Sequence, residues 1–181
     1  RDLARVRIGV AMYNANQNAA AYEYLSKLEV EASEPDAERL HYMVQSQRRL
    51  NKLDKMDELA ERIAELYPKS PWTVDALIAA GNRHLTENDV TNYEPLYQAC
   101  YERNATDPDA DLCHWKVTWA HYMRREADAA SMLKDHLRAY PASDESAAAL
   151  YFLGRLSLSN QHRELVWQGG FLQRTLSTVA L

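Results

Sequence analysis

Two histidines within one helix-period stretch, His114 and His121, are the first residues to test for chemistry. They stand seven apart, two turns along one helix face. A zinc ion takes ligands from adjacent turns or converging elements, so this pair does not read as a metal site. Solvated or hydrogen-bonded imidazole is the reading for these two and for His41, His84, His136 and His162. Carboxylates are plentiful. Glu58, Glu61 and Glu65, interleaved with Lys55 and Arg62, read as a solvated helix face with i,i+4 pairs. Nothing in the sequence sets two acids on either side of one glycosidic bond. No Gly-rich phosphate loop, nucleophile elbow or paired metal-binding His motif occurs. The expectation is no catalytic residue, no metal and no cofactor.

Cys100 falls about one turn before the end of one expected helix, and Cys113 about one turn after the start of the next. In an antiparallel pair they stand at nearly the same height. An oxidising compartment would let them form a disulfide. Two small, buried apolar side chains is the preferred reading. Two aromatic stripes have helical spacing: Tyr93, Tyr97 and Tyr101, and Trp115, Trp119 and Tyr122. Such platforms can stack on sugars, but Leu96, Cys100 and Leu112 share their faces, so packing between helices is preferred.

The elements that hold these residues follow from a spacing. Breaks fall at Ser33-Glu34-Pro35-Asp36, Lys69-Ser70-Pro71-Trp72, Thr106-Asp107-Pro108-Asp109 and Ala142-Ser143-Asp144-Glu145. Pro35, Pro71, Pro108 and Asp144 are 36, 37 and 36 residues apart. Only helix-period apolar residues lie between them, for example Leu40, Met43 and Val44, or Leu59, Ile63 and Leu66. This predicts an all-α fold, a right-handed superhelix of antiparallel helix pairs. The array covers residues 1–159, and 160–181 forms an atypical capping segment of the same domain. Ser33, Ser70, Asp107 and Ser143 are placed to cap new helices through their side chains. Pro35, Pro71 and Pro108 suit a first helical turn. Pro95 is expected in the first turn of a helix starting at Tyr93. Gly81 and Gly154 hold the same repeat position, 73 residues apart. Glycine inside a helix costs about 1 kcal/mol relative to alanine, so both point to close helix–helix approach.

The formal net charge of −5 argues against nucleic acid as partner. No run approaches the roughly 20 apolar residues of a membrane helix. The chain begins at Arg1 and not at Met, which reads as a processed or cut product. In helix-pair arrays the first helix of each pair lines the inner face. Putting Gly81 and Gly154 on the packed side turns Asn82 and Arg155 to that face. Comparable places are assigned to Gln45 with Arg48, and to His114 with His121. Together they would form a polar groove for a glycan or a peptide.

The pairs Ala80-Gly81 and Leu153-Gly154, with Tyr67-Pro68 and Tyr140-Pro141, resemble the Leu-Gly and closing proline of tetratricopeptide repeats, though the period here is longer. Two longer stretches resemble the α-superhelical region of soluble lytic murein transglycosylases. They are Leu66-Tyr67-Pro68-Lys69-Ser70-Pro71-Trp72-Thr73-Val74-Asp75-Ala76-Leu77 and Ala148-Ala149-Leu150-Tyr151-Phe152-Leu153-Gly154-Arg155. That resemblance implies a periplasmic parent protein and peptidoglycan glycan strands as ligand. It places catalysis in a lysozyme-like domain outside this chain, since Glu145-Ser146 lacks the rest of that family's catalytic pattern. A tetratricopeptide-like module binding a protein or peptide in its groove is the alternative.

Overall fold

The computed structural model describes residues 1–158. The capping segment expected over 160–181, with Gly169-Gly170 and His162, lies outside the described residues. Those described are all-α with no strand among them. The helices are α1 (Asp2–Asn14), α2 (Asn18–Ser26), α3 (Glu34–Arg49), α4 (Leu53–Leu66), α5 (Pro71–Thr86), α6 (Val90–Arg103), α7 (Ala110–Arg124) and α8 (Ala129–Ala139). Residues 146–158 form α9. The chain clusters into two compact units, Arg1–Ala120 and the part from His121 onward.

In the first unit α1 packs on α2, α3 on α4 and α5 on α6. The first helices also pack on one another, α1 on α3 and α3 on α5. Each second helix meets the next first helix, α2 on α3 and α4 on α5. The result is a layer of first helices backed by a layer of second helices. Val6, Leu25, Leu40, Val44, Met56, Ile63, Leu77 and Tyr97 are all buried between them.

The turn inside each pair is the most regular feature. Asn16, Asn51, Asn88 and Arg125 have φ of 60°, 56°, 57° and 59°. They are 35, 37 and 37 residues apart. The next amide reaches back five residues each time: Gln17 N–H to Met12 O, Lys52 to Gln47, Asp89 to His84 and Glu126 to His121, at 3.0–3.1 Å. This is a Schellman turn, which needs one residue in the left-handed region. Asparagine adopts that region more readily than other non-glycine residues. Arg125 is the one of the four without that advantage.

The close approach expected at glycine is present at Gly81. A Cβ there would lie 2.9 Å from Tyr97 Cζ and 3.0 Å from Cε1. Gly9 is tighter still: a Cβ would overlap Leu25 Cδ2 and Cγ. Counting from the turn residues, Gly9, Val44, Gly81 and Thr118 share one register. Gly154 belongs to it too, but a Cβ there meets no heavy atom within 4 Å among the described residues, so only Gly81 of the expected pair shows the packing role.

The helix starts also differ from expectation. Ser33 and Ser70 stand at N-cap positions but accept no first-turn amide through their side chains. Ser33 Oγ donates to Glu31 O (2.8 Å), and Ser70 Oγ donates to Glu34 Oε2 (2.8 Å), linking one repeat to the next. Ser143 Oγ does accept, from Glu145 N–H at 3.3 Å, and Asp107 Oδ1 accepts from Asp109 N–H at 3.0 Å. Asp89 caps α6 through Asn92 N–H, which starts that helix at Val90 and leaves Pro95 inside it. At the other end of the repeat, Tyr67 O–H donates to Asp36 Oδ2 (2.7 Å), and Arg39 Nε donates to Asp36 Oδ1 (2.6 Å). Burial and then this carboxylate push the Tyr67 hydroxyl up to about 12.

Replacing Arg125 with asparagine relieves a left-handed conformation that costs most residues about 1–2 kcal/mol. Arg125→Asn should therefore raise Tm by about 2–3 °C in a thermal melt. Gly81→Ala gains helix propensity but forces aside a fully buried ring. Overpacking of this kind costs about 1–3 kcal/mol. A lower urea midpoint is expected, and an unchanged one would show that the ring yields freely.

Candidate functional site

A cleft of about 400 Å³ opens on the layer of first helices. Helix α3 contributes His41, Gln45 and Arg48; α5 contributes Asp75, Ile78, Ala79 and Asn82; the start of α7 contributes Leu112, with Asp109 just before it. The spacing explains the set. Each first helix follows a Ser or Asp at 33, 70 or 107. Twelve residues on stand Gln45 and Asn82, eight on stand His41 and Ile78, and five on stand Asp75 and Leu112. Steps of three and four keep these positions on one helix face.

The cleft has two chemically distinct ends. At one, Arg48 Nε donates to Gln45 Oε1 at 3.0 Å. At the other, Asp75 faces the carboxylates of Asp109 and Asp107. Loss of solvation, then those two charges, raise the Asp75 carboxyl above its ordinary value. Ile78, Ala79 and Leu112 form an apolar stretch in its lining. Asn82 is fixed from behind, because Tyr97 O–H donates to its Oδ1 at 2.8 Å. Burial pushes the Tyr97 hydroxyl up to about 12, so it remains a donor. His41 is 6% exposed, and its Nδ1 has no hydrogen-bond partner. Burial lowers its pKa to about 4, against the opposite pull of the Trp72 backbone, so the imidazole is neutral near pH 7. Its ring lies 5.0 Å from Tyr42 and 5.3 Å from Trp72.

Of the groove residues named from sequence, the structure gathers Gln45, Arg48 and Asn82 into this cleft. His114 is not among its walls. It is buried, 4.8 Å from the Tyr101 ring and with Thr118 Oγ1 3.1 Å from its Nδ1. The residue of α7 in register with Gln45 and Asn82 is Trp119, not His114; five residues at 100° each turn His114 to another face. His121 sits at the helix end, with Nδ1 2.8 Å from both Glu126 Oε2 and Asp128 Oδ1. The ligand atoms of these three lie within 4.8 Å of one another, close enough to group round a cation. Their repeat equivalents give the simpler account. His84, 37 residues earlier, binds Asp57 at 2.9 Å and lies 3.5 Å from Asp89, so histidine and acid fasten the same turn twice. Arg155 is exposed on α9, with its guanidinium 5.9 Å from the Tyr151 ring.

The cysteine pair corrects the preferred reading. Cys100 and Cys113 are bridged, with Cα atoms 6.1 Å apart, inside the range a disulfide spans. The bridge closes the loop that carries Asp107 and Asp109. Tyr93 and Tyr97 are core residues, as expected, while Trp115 and Trp119 stack at 5.8 Å and are half-buried. Asp75, Asp109 and His41 were not singled out from sequence. Counting positions from each helix start, instead of from the glycines, would have found Asp75 and His41.

A disulfide closing a loop of this length contributes about 3 kcal/mol. Reduction, or Cys100→Ala with Cys113→Ala, should lower the unfolding free energy by about that amount. A urea midpoint indifferent to reductant would contradict the bridge.

No protein-family model matches the chain, and no curated protein does. Among solved structures it is similar to the kinesin light chain nearly identical TPR-like repeats of Podosopora anserina. The likeness has a TM-score of 0.53 at 11% identity, over 91% of this chain and 89% of that one. At that identity it shows the fold alone, an all-helical tetratricopeptide-like repeat.

Proposed function

We propose that the chain is a protein-interaction module that binds an extended segment of a partner in the cleft on its first helices. The observation that carries this reading is the cleft's construction. Three successive first helices present side chains from one helix face each, with Gln45 and Arg48 towards one end, Asp75 and Asp109 at the other, and Ile78, Ala79 and Leu112 as the apolar part of the lining. Such a surface supplies hydrogen-bond donors and acceptors along a line, which suits an extended backbone and its side chains.

A second reading keeps a cell-wall glycan in the same cleft and a periplasmic location. The Cys100–Cys113 bridge supports an oxidising compartment. The glycan itself rests on the resemblance of the two sequence stretches, and the comparisons add nothing to it.

One experiment separates the two. A degenerate dodecapeptide library and a set of N-acetylglucosamine oligomers are offered to the immobilised chain. Peptides should be retained and the sugars not. Gln45→Ala with Arg48→Ala should cut retention about tenfold, about 1.4 kcal/mol, with unchanged helicity by circular dichroism. Sugar binding lost in the same variant would favour the glycan, and retention untouched by the variant would move the site elsewhere.

A further inference from the structure

We infer that the acidic end of the cleft receives the side chain of a lysine or arginine from the bound segment, an assignment that rests on the peptide reading above. Charge and shape carry it together. Asp75 and Asp109 have no cationic partner among the described residues. Several other acids are paired: Glu38 with Arg7, Asp36 with Arg39, Asp57 with His84. Two unpaired carboxylates at one end of a cleft repel each other and favour a cation between them. Beside them, Ile78, Ala79 and Leu112 line the same cleft. A basic side chain has that same division, an apolar stem and a charged head.

An independent observation marks the cleft as built for a ligand. His41 is over nine-tenths buried, lines the cleft, and has an Nδ1 without a partner. Buried polar atoms are nearly always hydrogen-bonded. Arg48, at the far end, has no acidic partner among the described residues, so a second cation is repelled there. The polarity of the cleft therefore also fixes the direction in which a segment with one basic residue lies.

The test uses the full chain and a hexapeptide library with one fixed position, varied over all residues, among degenerate neighbours. Retained pools should be enriched at least fivefold when lysine or arginine is fixed. Asp75→Asn with Asp109→Asn should abolish that enrichment while retaining other peptides. Both residues are exposed, so folding is not at risk. Glu61→Gln with Glu65→Gln changes net charge equally on another exposed surface and should leave the enrichment intact. Equal loss in this control would mean that overall acidity attracts the peptides, which overturns the assignment. Peptides retained without basic preference overturn it as well and leave the peptide reading standing. No retained peptide at all removes both.

Discussion

The contact on which the site depends is the Tyr97 ring lying against the Gly81 backbone. It sets how near α6 comes to α5, because no side chain stands between them. It also reaches through to the cleft, since the same ring's hydroxyl holds Asn82 Oδ1 at 2.8 Å. A tyrosine buried this deeply needs a partner for its O–H. The asparagine that supplies one, Asn82, is thereby fixed in orientation, and it also lines the cleft. Packing in the helix layer and polarity on the exposed face are thus parts of one interaction.

The neighbouring repeats reach comparable approach by other means. In the first pair Gly9 faces the large Leu25. In the second, Val44 occupies the glycine register, and the residue in register with Leu25 and Tyr97 is the small Ala60. Large and small exchange sides while helix spacing is kept, which is what dense interiors require. The Schellman turns do the complementary work of fixing the reversal between the two helices. His84 with Asp89, and His121 with Glu126, brace two of those turns, which accounts for a histidine–carboxylate cluster without assigning it to a metal.

Helix positions were legible in the sequence because proline breaks and apolar periodicity are local signals. Most ends were placed within a few residues; α6 began earlier because Asp89, not Tyr93, sets its start. The turn residues Asn16, Asn51 and Asn88 recur at the same period and carry an equally local signal. Side-chain partners were not legible. Ser33 and Ser70 have the right type and position for caps, yet Glu31 O and Glu34 compete for their hydroxyls. The disulfide needed the height of two helices to be known to within a few ångströms, which spacing alone approximates. His114 was misplaced because two histidines seven apart share a face, and nothing local says which face of α7 meets the cleft.

The disulfide also bears on the cleft. Asp107 and Asp109 lie on the loop between α6 and α7, outside any helix that would hold them. A loop bearing two like charges near a third, Asp75, gains electrostatically by moving away. Bonds from Asp107 N–H to Asn104 O, Asp109 N–H to Asp107 Oδ1, Ala110 N–H to Asp107 O and Cys113 N–H to Asp109 O hold the segment locally. The Cys100–Cys113 bridge adds a covalent tie across the ends of the segment. A covalent tie that keeps carboxylates together against their repulsion preserves an attraction for cations that a freer loop would dissipate. In this arrangement the bridge acts on the charge of the cleft as well as on the stability of the helix pair.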